Sequence, residues 1–264
     1  MPAIDWLTYL NQYRSTAKLP VLIENPSWSV GAAHHSRYMV RNGLLTHSED
    51  PLNPWYTPDG ALAGQHGNVF GSSDQFTPPT QPIDAWLAAP FHALWILYPG
   101  ITEVGYGFDA EVGPGWLRMA ATLQMTDGGP LPMPPGIVYP IEWPGHGATV
   151  ALAQYGGGEL PDPLTACPGY TVPVGLPLIV QFAGPPAQAT SYSVSEGGTS
   201  LAACAFDQTG YTNPDPGQQS VARSILAQGN AVVVIPREPL QPGQTYTVTV
   251  TTTTQLATWS FQIS

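Results

Sequence analysis

Charge is what this sequence has least of. Only 7 of its 264 residues are Lys or Arg, against 18 Asp or Glu, for a formal net charge of −11. Phosphate backbones are bound by clustered Lys and Arg, and no such cluster exists here, which excludes a nucleic-acid partner. No run of about 18 apolar residues occurs, so no transmembrane segment is expected. A signal peptide is not visible either, because Asp5 and Arg14 interrupt the only N-terminal apolar stretch. Cysteine is down to two residues, Cys167 and Cys204. A pair in a β-rich region suits one disulfide, although two reduced core thiols fit the same count. Scarce lysine and surfaces rich in Ser, Thr, Gly and Pro point to a secreted or cell-surface protein whose leader has been removed.

What the chain has in excess is Pro and Gly, 30 and 28 of them, which favours turns and short elements over long solvated helices. Ile4, Leu7, Leu10 and Tyr13 recur at helical spacing, with Arg14 on a neighbouring face, and predict an amphipathic first helix. Asn25-Pro26 is a helix start, with Asn as cap and Pro at the first position, and Gly43 is its stop. Within that helix His35 reads as a core histidine with one hydrogen bond. The stretch Asp84–Phe108 holds two short helical turns broken at Pro90, then a Pro99-Gly100 turn and a strand through Thr102–Gly107. A hairpin-like turn over Glu111–Gly115 leads to a strand from Trp116 to Met125.

The first half therefore reads as an α+β domain over 1–127. Residues 128–146 contain six prolines and read as a semi-rigid linker, since proline cannot join a central strand or a helix interior. From 147 to 264 seven short alternating patterns predict an all-β, immunoglobulin-like sandwich. A Cys167–Cys204 bridge there would contribute on the order of 3–4 kcal/mol by loop entropy.

The first half resembles the CAP superfamily (cysteine-rich secretory, antigen 5 and pathogenesis-related 1 proteins) in its compact bacterial form. The resemblance is carried by Leu10-Asn11 with Arg14, by Ala32-Ala33-His34-His35-Ser36 with Tyr38-Met39, and by Leu45-Thr46-His47-Ser48. It continues through Gly64 and Asn68, Asp84-Ala85-Trp86, Pro90-Phe91-His92 and Thr102-Glu103-Val104-Gly105-Tyr106-Gly107. It implies an α-β-α sandwich with a central cavity that in many members holds two histidines and two glutamates, the histidines able to bind zinc. His47 and His92 match the histidines. The glutamate positions fall at Gly67 and near Ala89, so both carboxylates are missing, with His66 one residue from the first gap. The closing pattern Leu240-x-Pro242-Gly243-x-x-Tyr246 resembles that of immunoglobulin-like bacterial modules.

Catalysis is not expected. Zinc hydrolysis wants three ligands and a carboxylate base, whereas His47 and His92 give two ligands and Glu49 reads as pointing to a loop. The expected site is a binding cavity: His47, His66, Asn68 and His92 at its floor, Trp86 and Phe91 at its rim. Its occupant is expected to be a small apolar ligand, a lipid or an extracellular protein partner. No cofactor is required, though a weakly held zinc or other divalent ion at His47 and His92 fits the same residues. The alternative is an extracellular structural or adhesive module.

Overall fold

The computed structural model describes residues 5–112 and 115–264. Ile4 of the expected first helix lies outside them, as do Gly113 and Pro114 of the turn expected at 111–115. The chain forms two compact units that interleave in sequence. The first takes the described residues of Met1–Tyr13, Pro20–Trp86 and Pro99–Pro135; the second takes Arg14–Leu19, Leu87–Tyr98 and Gly136–Ser264.

The first unit contains α1 (Trp6–Thr16, its last turn counted with the second unit), β1 (Ile23–Glu24), α2 (Pro26–Asn42), α3 (Pro58–Gln65), β2 (Gly67–Ser72) and α4 (Gln81–Leu87). The second unit takes α5 (Pro90–Ile96), and the first resumes with β3 (Glu103–Ala110) and β4 (Met119–Gln124). Its sheet has the order β1-β3-β4-β2, with β1 parallel to β3 and the other pairs antiparallel. Both ends of α2 obey the local signals. Asn25 accepts from the Ser27 and Trp28 amides, and Gly43 turns left-handed at φ 62°, sending its own N–H to Met39 and Val40. The helix lies so close to β3 that a Cβ on Gly105 would overlap the Trp28 backbone and one on Gly107 the Ala33 backbone. That is the physical content of the Gly-Tyr-Gly alternation. Ser36 fastens the same contact, donating to a carbonyl of Ala32 or Gly107 and sharing a 3.0 Å hydrogen bond with Thr122.

The second unit builds a five-stranded and a four-stranded sheet. The elements before its long helix are β5 (Ile141–Trp143), β6 (Thr149–Val150), β7 (Gln154–Tyr155), a 3-10 turn (Pro163–Ala166), β8 (Val174–Gly175), β9 (Leu178–Gln181), β10 (Ala189–Glu196), β11 (Thr199–Leu201) and β12 (Ala203–Asp207). After them come α6 (Pro216–Gly229), β13 (Ala231–Pro236), β14 (Thr245–Thr252) and β15 (Leu256–Ile263). The sheet orders are β11-β10-β14-β15-β6 and β12-β13-β9-β5, with a separate β7-β8 pair. Along β14 and β15 every second side chain is buried, as the Tyr246, Val248, Val250 alternation requires. The proline-rich stretch contributes β5 at a sheet edge, where a missing N–H is tolerated.

The all-β expectation for 147–264 needs a correction. The 14-residue helix α6 interrupts it, capped by Asp215, which accepts from the Gly217 and Gln218 amides, and closed by left-handed Asn230. Asp215-Pro216 is the same start signal as Asn25-Pro26. It was masked by the Gly and Gln that follow, which carry no apolar stripe in the first turn. A second departure from the antiparallel pattern is β6, which pairs with β15 in parallel. Cys167 and Cys204 form a disulfide with Cα atoms 5.7 Å apart.

Candidate functional site

Helix α5 is short, and the side chain of its cap residue Ala89 makes no capping hydrogen bond. A carboxylate from elsewhere in the second unit does the capping. Glu159 Oε1 accepts from the backbone N–H of His92 at 2.8 Å and from the ring at Nδ1 at 2.6 Å. The backbone N–H makes Oε1 an acceptor, and the ring meets the same oxygen at Nδ1. The Glu159 side chain has no exposure at all. Burial drives its carboxyl above the ordinary range, while the His92 ring and amide pull the other way. At the other end of α5 the fully buried guanidinium of Arg14 donates to the Ile96 and Tyr98 carbonyls. Burial lowers its pKa to about 10. An anion at the N-terminus and a cation at the C-terminus both complement the helix dipole.

In the first unit His47 donates from Nδ1 to the Gly64 carbonyl at 2.8 Å. His66 closes α3, its N–H returning to Leu62, and its ring borders Gly128. Asn68 is buried in β2 opposite Leu123. Trp86 is buried too, donating from Nε1 to the Val69 carbonyl at 3.0 Å and standing edge-on to Tyr106. Phe91 and His92 belong to the second unit, where Phe91 is buried against Phe206 and Tyr211. His47, His66, Asn68 and Trp86 belong to the first.

Two carboxylates take positions that differ from or go beyond the sequence expectation. Glu49 does not point to a loop: its side chain is fully buried, 2.9 Å from His35 Nδ1, and accepts from the Thr57 amide. His35 accordingly has two hydrogen bonds, the second between Nε2 and the Thr46 carbonyl. Gly64 is small because a Cβ there would enter that ring. Glu159 lies far outside the resembling stretch, and its one sequence signal is the Gly156-Gly157-Gly158 run before it, which lets the backbone bend the carboxylate inward.

A protein-held zinc needs three or four ligands. Among the described residues no group of three or more His, Cys, Asp or Glu side chains is placed to share a metal ion. Glu49 and Glu159 are each taken up by a histidine ring and a backbone amide. This donor set does not fit a metal held by the protein alone.

Beside Glu159 the second unit carries an open depression of about 680 Å³. Its walls include Tyr155, Asp162, Thr165, Tyr170 and Val172. The Tyr155 hydroxyl accepts the Glu159 amide at 3.2 Å, and burial drives its pKa far up, so it stays a neutral donor. The Thr165 hydroxyl is tied to the Asp162 and Thr212 carbonyls and to Tyr211.

Residues 7–115 match the family model of the CAP family, the cysteine-rich secretory protein family. The match spans the residues that carry the resemblance, and it includes α5, whose contacts place it in the second unit. No curated protein and no solved structure matches the chain. Among the described residues no helix is long and apolar enough to cross a membrane.

Proposed function

We propose that the protein is a secreted CAP-type binding protein that holds a small ligand rather than turning a substrate over. The observation that carries this reading is the depression beside Glu159, whose volume of about 680 Å³ falls in the range of small-molecule sites. Leu160, Leu164 and Val172 offer apolar wall, while Asp162 and Tyr170 offer polar groups that orient an occupant. The two buried carboxylates that face histidines, one in each unit, are engaged in structure. Glu159 and Glu49 each accept a backbone amide and face a histidine ring, whereas a general base must reach a substrate proton. The CAP match and the disulfide support a place outside the cell. No cofactor is needed for this reading, and a divalent ion at His47 or His92 would be weakly held for want of further ligands. An immunoglobulin-like role for the second unit, as a spacer or docking module, is compatible with it.

Native mass spectrometry of the purified protein, before and after organic extraction, tests the reading. The expected result is an added mass that extraction removes and that Val172→Trp, which fills the depression from an exposed position, abolishes. Finding only the bare chain, with no small molecule raising its melting temperature in a Val172-dependent way, would leave the spacer reading in its place. Ester or peptide hydrolysis that disappears in His92→Ala would overturn it in favour of an enzyme.

A further inference from the structure

We propose that one face of the first unit docks on an anionic lipid bilayer. The cations of this unit are Arg37, Arg41 and Arg118. Arg37 and Arg41 stand over the Trp55 ring, at 4.9 and 4.7 Å from its centroid. Arg41 also pairs with Glu111, whose backbone N–H donates to the Arg118 carbonyl. Asn53 donates to Asn42 at 2.7 Å, which ties the 50–56 loop to the end of α2. Leu45 and Trp116 meet over Gly71, since a Cβ there would lie 3.4 Å from Leu45 and 3.2 Å from Trp116. These links join the end of α2, the 50–56 loop and the residues flanking β4 into one surface.

That surface is unusually apolar for an exposed one. Leu52 is 92% exposed, Val112 74%, Leu44 53% and Trp116 52%. Large contiguous apolar patches on a protein surface mark interaction sites. Three features favour a bilayer over a protein partner. The most exposed apolar residue sits on a tight turn whose amides are already satisfied: Leu52 donates to Asp50 Oδ1, Asn53 to the Asp50 carbonyl and Trp55 to Asn53 Oδ1. Such a tip can enter an apolar layer without stranding a donor. Trp55 lies in the same loop, and tryptophan settles at the level of lipid head groups. Arginine reaches phosphate with its planar fork, and Arg37 has no ion pair among the described residues. The chain's total of −11 works against an anionic surface, but charges beyond about 8 Å are screened at physiological salt, so the local balance decides: Arg37, Arg41 and Arg118 against Asp50 and Glu111.

Co-sedimentation of the full chain with vesicles tests this, using phosphatidylcholine alone and with about a third phosphatidylglycerol. The expected result is binding to the mixed vesicles, a blue shift of tryptophan emission and release by salt. Leu52→Asp and Arg37→Glu should each lower the partition about tenfold. Leu256→Asp, at a residue also exposed (65%) but in the second unit, should leave it unchanged. Circular dichroism melts confirm that each variant folds. No binding to the mixed vesicles, equal binding to phosphatidylcholine alone, or binding untouched by Leu52→Asp overturns the proposal. The first of these results would return the face to a soluble partner.

Discussion

Glu159 and His92 are 67 residues apart in sequence, yet one carboxylate oxygen accepts both the ring and the backbone N–H of that histidine. The contact supplies what α5 lacks at Ala89, a side-chain cap. It also fixes the orientation of the ring by a carboxylate.

Removing that acceptor strands buried donors. Glu159→Ala should destabilise the second unit by about 1–3 kcal/mol. Glu159→Gln keeps an acceptor and should recover part of the loss. Urea unfolding of the three proteins gives the comparison, and equal stability for Ala and wild type would refute the capping role.

Gly107 has no room for a side chain. Gly107→Ala should cost about 1–3 kcal/mol or more, because the methyl group meets the α2 backbone, which cannot rotate away. A substitution at Gly147, left-handed but with open space around it, strains only the turn and should cost less. Thermal melts rank the two.

Two aspartates should give opposite pH dependences. In the first unit Asp84 accepts from the Tyr9 and Tyr13 hydroxyls, but burial outweighs them and raises its pKa. Its favourable contribution is complete below the unfolded value of about 3.9 and is lost as pH rises through the folded one. Asp84→Asn should therefore flatten the loss of stability on going up from acid pH. In the second unit Asp207 is also partly desolvated, yet the Thr209 hydroxyl and the Ala189, Gly210 and Thr209 amides win and lower its pKa. Its contribution is present above about 3.9 and is lost as pH falls through the folded value. Asp207→Asn should weaken the protein most at neutral pH. Melting curves of both variants from acid to neutral pH check the two signs.

Reducing the Cys167–Cys204 bridge should lower stability by about 3–4 kcal/mol, through the unfolded chain it no longer restrains. A denaturation midpoint unmoved by reductant, with free thiols confirmed, would contradict this.

Where the structure obeys a signal confined to one turn or one strand, the sequence by itself determined the outcome. Asn25-Pro26 and Gly43 bound α2, and the Tyr246, Val248, Val250 alternation sets the buried face of β14. The physics of both is complete within a few residues: a cap satisfies its own helix end, and a pleat alternates whatever lies beyond it. The resemblance over the first half was legible for the same reason, since Gly105 and Gly107 record a helix pressed on a strand. The helix α6 was hidden because its first turn lacks an apolar stripe. Tertiary structure alone decided the electrostatic pairings. Arg14 looked like a surface residue of an amphipathic helix, and only closure of the chain brings it beneath the carbonyls ending α5. Glu49 and Glu159 are acidic residues in loops, and their burial beside His35 and His92 depends on backbones folded over them from distant positions. A buried charge is stable only where its partner arrives as well, and no local pattern encodes that arrival.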